Sequence, residues 1–393
     1  MMKNFILIFI LALSGCNCVK QLYIQFGEKK AVIPTVATSE NIIRIYFDRF
    51  GTIYPDVHIP DEPLKAVYST LANLYRSDTS LYRNVCTRYG ATKDPFLMDN
   101  TLFNYVSLQH KLVDGYADSI NRMGKGKEVV FLIHGYNAYP YLENDTANVA
   151  QQFQCLRNQI TNRLTENDKK FLFVEIYWDG LTEEGTRNLG LRWFNQKRIW
   201  KNAQSSASNA GLELRRILSR ISKPKVFILS HSHGAAVATY ALFNVLKFGD
   251  KEFPLFVAKY TQGEYTTPNI DVRVGMLAPA IPGENVFDEY FHRTPGCGQT
   301  PCTSRNFHFV LGVNTYDEVT SKRPLKGSKH GSTTLAYDPD ELKKTMAIFA
   351  GDKNVIDAVD FSLTTGNATQ EKHGFYHYIN NPHFPEFLKM VIR

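Results

Sequence analysis

The chain has 393 residues, 44% of them apolar and 21% charged, enough to bury a large core in one big domain or two smaller ones. Its net charge of +7 is modest and spread along the chain without a long basic run. That distribution argues against nucleic-acid binding, for which no motif is present, and leaves at most a weak attraction to anionic headgroups.

Met1-Met2-Lys3-Asn4 forms a short positive start, residues 5–13 are apolar, and Leu13-Ser14-Gly15-Cys16 follows. The apolar run is too short to span a bilayer and fits a signal peptide over residues 1–15. Its last four residues resemble a bacterial lipobox, which implies cleavage before Cys16 and lipidation of the Cys16 thiol. The expected mature protein is exported and held in the cell envelope by a lipid anchor. An ordinary secretory signal with Cys16 incidental is the alternative. Cys297 and Cys302 are close enough in sequence for a small disulfide loop in an oxidising compartment.

Residues 16–127 read as an N-terminal elaboration. Strand-like stretches at 22–26 and 42–47 are broken by glycine and proline, and helical spacing follows over 62–122. From 128 to 393 strands alternate with helices. The strands are expected at 129–133, 171–177, 226–229, 272–277, 307–313 and 359–363, with helices near 144–164, 195–221, 234–247 and 338–350. Such alternation predicts an α/β fold with a doubly wound, mostly parallel sheet. Functional groups should then sit just beyond the carboxyl ends of the strands.

The strand at 226–229 stops at Ser230-His231-Ser232-His233-Gly234, and small residues open a helix at once. Strand, tight turn with serine at its apex, then helix is the layout of a nucleophile elbow, with Ser230 in place of the usual first glycine. The turn projects the Ser232 hydroxyl above the sheet, and the helix N-terminus behind it favours a developing oxyanion. A polar loop without chemistry is the bland alternative. His231 and His233 form an H-x-H pair, but no second His/Asp cluster follows to complete a metal site.

After the strand at 129–133 comes His134-Gly135-Tyr136-Asn137. Gly135 permits close backbone approach, so the Tyr136 N–H and the His233 N–H form a candidate oxyanion hole, while His134 fixes the loop by hydrogen bonding. HGYN after one strand and SHSHG after a later one resemble the α/β-hydrolase superfamily, in its bacterial lipase-like branch. The likeness covers residues 128–393, and the strand at 171–180 ending Trp178-Asp179-Gly180 is also similar to that branch. It implies an ester-cleaving serine hydrolase, the chain order nucleophile, acid, histidine, and no metal or organic cofactor.

Asp317, at the end of the strand 307–313, is the candidate acid, ahead of Asp288 and Glu318. His373, first in the loop before the final helix, is the candidate base. His377, one helical turn on, is the alternative, and His330 a further one. The expected substrate is a small-molecule or lipid ester. A catalytically silent binding lipoprotein of the same fold, or a peptidase or acyltransferase using the same triad, are the competing functions. Residues 181–202, with Trp193, Phe194 and Trp200, read either as an amphipathic helix on the sheet or as a wall over the site, and 248–269 as a loop at its rim.

Overall fold

A computed structural model of the chain describes residues 20–22, 41–48, 50–55, 71, 75–76, 78–91, 106–136, 149–164, 170–178, 180, 182–184, 192–242, 270–284, 286–287, 307–317, 319–321, 333–350, 352–362 and 373–392. Cys16, Cys297, Cys302, Asp288, Glu318, His330 and the segment 248–269 lie outside these residues.

In chain order the elements are β1 (Lys20–Leu22), β2 (Ile42–Phe47), α1 (Thr79–Arg88), α2 (Val106–Met123), β3 (Glu128–Ile133), α3 (Val149–Leu164), β4 (Phe171–Trp178), β5 (Thr182–Glu184), α4 (Arg192–Leu218), β6 (Lys225–His231), α5 (Gly234–Leu242) and β7 (Asp271–Leu277). They continue with β8 (Phe307–Val313), a 3-10 turn (Thr334–Ala336), α6 (Pro339–Ile348), β9 (Ile356–Asp360), α7 (Phe375–Ile379) and α8 (Phe384–Val391). Seven strands form one sheet in the order β2-β4-β3-β6-β7-β8-β9, every neighbouring pair parallel. β1 and β5 pair separately as an antiparallel ribbon. This is the α/β fold with a parallel sheet that the alternation predicts.

The strands form where the sequence is continuously apolar, because a parallel sheet is covered on both faces. β4 is buried at all eight positions, and β3 and β6 at all but their first. From β3 the chain winds outward to β4, then returns past β3 to β6 and winds the other way through β7, β8 and β9. Right-handed crossovers in opposite directions put helices on both faces. They also make the β3/β6 boundary the switch point, where a crevice opens beyond the carboxyl ends.

Two differences from the sequence reading stand out. β2, grouped by sequence with the N-terminal elaboration, is the edge strand of the main sheet, in register with β4 from Ile42 opposite Phe173 to Phe47 opposite Trp178. A boundary at 127 therefore cuts through the sheet. Across the join, Arg44 donates to Glu175 at 2.8 Å, Arg157 pairs with the same buried carboxylate, and the Tyr177 hydroxyl donates to it at 2.9 Å. The last strand lies at Ile356–Asp360 rather than 359–363, its register set by Phe309 opposite Ile356.

α5 is GAAVATYAL, buried throughout. Its small residues let α4 pass close by: a Cβ on Gly211 of α4 would lie 2.6 Å from the Val237 carbonyl. At the far end of α5, the buried Arg215 donates to the Ala241 and Tyr240 carbonyls at 3.1 and 2.8 Å. Those carbonyls sit in the last described turn of α5, where a helix runs out of its own N–H donors.

Candidate active site

Ser232 follows β6 directly and holds φ at +53°, a left-handed value rare for a side chain larger than glycine's. Such a conformation costs about 1–3 kcal/mol and persists only where the surroundings hold it. Here three bonds from the end of β7 do so. The Ser232 N–H donates to the Leu277 carbonyl at 2.9 Å, its carbonyl accepts from the Ala280 N–H at 3.2 Å, and the His233 Nδ1–H donates to the Ala280 carbonyl at 3.1 Å. Ala278, inside that clamp, is itself at φ +49°. Ser230, in the place of the usual first glycine, is buried beside Gly275, with its hydroxyl 3.5 Å from that carbonyl. The turn thus carries its left-handed apex with a serine there.

The loop after β3 meets this turn at two glycines. A Cβ on Gly135 would stand 2.9 Å from the Ser232 Cβ and 3.2 Å from His231 Nδ1, and one on Gly234 would run into the Ile133 and His134 carbonyls. Only glycine allows the two loops to close to this distance. The N–H groups of Tyr136 and His233 stand on these abutting loops. His134 is buried and locks its own loop: Nδ1–H donates to the Gly135 carbonyl at 2.7 Å, Nε2 accepts from the Trp178 N–H at 3.2 Å, and its carbonyl accepts from Trp178 Nε1–H at 2.9 Å. Burial pushes its pKa down to about 4, so the ring is a neutral fastener.

The structure brings together Ser232, Asp317 and His373. His373 Nε2 lies 2.9 Å from Ser232 Oγ, and Nδ1 lies 2.7 Å from Asp317 Oδ2. Asp317 is fully buried on the turn after β8, and its Oδ1 accepts from the Val319 and Thr320 N–H groups at 2.9 and 3.1 Å. Burial pushes its carboxyl upward, but His373 and these hydrogen bonds outweigh that and leave it below the ordinary carboxylate range. His377, the alternative base, lies in α7 with its ring edge-on to Tyr378 at 5.6 Å, while both bonds to Ser232 and Asp317 belong to His373.

Two contacts were not legible in the chain. His231 Nε2–H donates to the His373 carbonyl at 3.0 Å, tying the backbone of the candidate base to the residue before Ser232. Burial, reinforced by the nearby His373, pushes the His231 pKa down to about 3. The Tyr378 hydroxyl donates to Asp317 Oδ2 at 3.1 Å. Its only sequence signal is that Phe375, Tyr378 and Ile379 share the inward face of α7.

Trp200, on α4, is buried with its ring 4.3 Å from His233 and 5.2 Å from Tyr136, so this part of 181–202 backs the candidate oxyanion loops. Among the described residues no group of histidine, cysteine and acidic side chains is placed to hold a metal ion. Chemically, a serine hydroxyl donates to an imidazole whose other nitrogen is held by a buried carboxylate, beside backbone N–H groups at a helix start. That arrangement can deprotonate the serine as it attacks an electrophilic carbon and hold the resulting anion. No family model matches the chain, and no curated protein matches it significantly, so the reading of this site rests on its geometry.

Proposed function

We propose that the protein is a serine hydrolase of the α/β-hydrolase type that cleaves carboxylic esters through an acyl-enzyme. One observation carries the reading: a serine at φ +53° has its Oγ 2.9 Å from a histidine whose other nitrogen is 2.7 Å from a buried aspartate. Ser232 Oγ attacks the ester carbonyl carbon while His373 Nε2 takes its proton. Asp317 holds the imidazole in the Nδ1–H tautomer and stabilises the imidazolium. The carbonyl electron pair moves onto oxygen, facing the N–H groups of Tyr136 and His233. On collapse the bond to the leaving alcohol breaks, and the alcohol takes the proton from Nε2. Water then attacks the acyl-enzyme by the same proton route and releases the acid.

Incubation with a fluorophosphonate tests this directly. One adduct per chain on Ser232, lost in Ser232→Ala, together with turnover of p-nitrophenyl esters, is the expected result. No adduct on the folded protein refutes the reading and favours a silent binding protein. An adduct accompanied by turnover of peptides, or by acyl transfer to added alcohols, without ester hydrolysis would move it to a peptidase or acyltransferase.

The leader over residues 1–15 and Cys16 support an exported, lipid-anchored protein acting on esters at a membrane. No helix among the described residues is long and apolar enough to cross a bilayer. Tritiated palmitate incorporation in a bacterial host, abolished by Cys16→Ser, is the expected outcome; equal labelling of both forms refutes the anchor.

A further inference from the structure

The hydrogen-bonded line from Ser232 does not end at Asp317. Oδ2 of that carboxylate accepts from His373 Nδ1–H at 2.7 Å and also from the Tyr378 hydroxyl at 3.1 Å. Tyr378 is fully buried, and burial and the adjacent Asp317 hold its phenol well above the ordinary tyrosine range, so it stays a neutral donor. Its oxygen in turn receives a side-chain hydrogen bond from Asn314, which follows β8 and whose Oδ1 accepts from the Tyr316 N–H at 3.0 Å. The amide is thereby oriented with its NH₂ toward the phenol. The carboxylate has no lysine or arginine partner among these contacts. Two peptide N–H groups on Oδ1 and one phenol on Oδ2 complement it beside the imidazole.

We propose that Tyr378, oriented by Asn314, is a positioning residue that sets how much negative charge Asp317 Oδ2 presents to His373. The inference rests on the serine-hydrolase reading. A donor on the oxygen that accepts the imidazole proton withdraws charge from it and also prevents the carboxylate from rotating. Removing the donor concentrates charge on Oδ2, stabilises the imidazolium, and moves the acid limb of the rate profile to higher pH. Among the described residues, the other groups facing His373 are the Ser232 hydroxyl from the elbow and the neutral His231 from β6, with His134 beyond it on the β3 loop. None of these changes charge when Tyr378 is altered.

The test is the pH dependence of p-nitrophenyl ester hydrolysis by the full chain and by Tyr378→Phe, which keeps the ring and removes only the hydroxyl. Tyr378→Phe is expected to lower kcat roughly tenfold with KM within about twofold, as for loss of one hydrogen bond to a charged group. Its acid limb should rise by about half a pH unit or more. Site-specific 3-fluorotyrosine at 378, a stronger donor of nearly the same size, should move the limb the other way. A merely structural tyrosine would not give shifts of opposite sign. If Tyr378→Phe does not fold, the fluorotyrosine protein decides alone. Turnover by the parent with an unmoved acid limb in either variant overturns this inference and leaves the hydrolase reading standing. No turnover and no fluorophosphonate adduct in the parent removes both.

Discussion

Gly135→Ala probes the approach of the β3 loop to Ser232. The new Cβ would lie 2.9 Å from the Ser232 Cβ, with His231 Nδ1 and the His231 carbonyl both at 3.2 Å. Carbon atoms rest at about 3.5–4.0 Å, so the two loops must separate by roughly 0.6 Å or more. The elbow cannot yield easily, because the segment at the end of β7 clamps it through two hydrogen bonds to Ser232 and one to His233. The movement therefore falls on the Gly135-Tyr136 turn and carries the Tyr136 N–H away from the oxyanion position. Loss of one oxyanion donor, or a misplacement approaching 1 Å, costs about 10²-fold in rate. We expect kcat to fall on the order of 10²-fold, KM to stay within about threefold, and stability to drop by about 1–3 kcal/mol from overpacking. Gly115→Ala is the control: this glycine lies on the exposed face of α2 with nothing within 4 Å, and alanine there should stabilise by about 0.5–1 kcal/mol without touching kcat. Steady-state ester kinetics and urea denaturation of both variants supply the readouts. A folded Gly135→Ala protein with kcat within twofold of the parent refutes the assignment of this loop to the oxyanion hole.

The remaining expectations concern the base, the buried histidines and the elbow helix. His373→Ala should abolish ester turnover and His377→Ala should keep most of it; the reverse pattern in the same assay would transfer the base to His377. His134 and His231 have pKa values depressed by burial from 6.5 to about 4 and about 3, so both stay neutral in the fold while the unfolded chain protonates. Their contribution is complete above pH 6.5 and is lost as pH falls toward 4, costing about 2 kcal/mol per histidine by pH 5. Denaturation midpoints measured from pH 7 to 5 should fall accordingly, and a flat profile contradicts it. Arg215→Leu removes both guanidinium donors from the Tyr240 and Ala241 carbonyls of α5 and should cost about 3 kcal/mol in urea denaturation. A loss under about 0.5 kcal/mol would show that the guanidinium does not hold that helix end.

Much of this architecture was legible along the chain because central parallel strands are continuous apolar runs. β3, β4, β6, β7 and β8 sit within two residues of where that signal puts them. β9 was displaced because it is an edge strand with only two buried positions, and its pairing with β8 rather than its own pattern sets its limits. The place of β2 was hidden for a related reason: its strand character is local, but its partner lies more than a hundred residues on. The site divides in the same way. Ser232, Gly135, Asp317 and His373 follow strand ends and were legible by position. His231 and Tyr378 act across separations of 142 and 61 residues, through hydrogen bonds that no local pattern encodes. His134 is intermediate, since its place beside a strand end marks the loop but not its bond to Trp178.

The edge position of β2 also bears on how the molecule comes into being. Arg44 and Glu175, joined across that edge, are 131 residues apart. During synthesis β2 leaves the ribosome long before β4 exists to receive it. Closing so long a loop is entropically unfavourable until the β3–β4 pair offers a ready template. Until β4 has been made, β2 is without the strand it pairs with in the sheet. That interval is when a holding chaperone has most to protect.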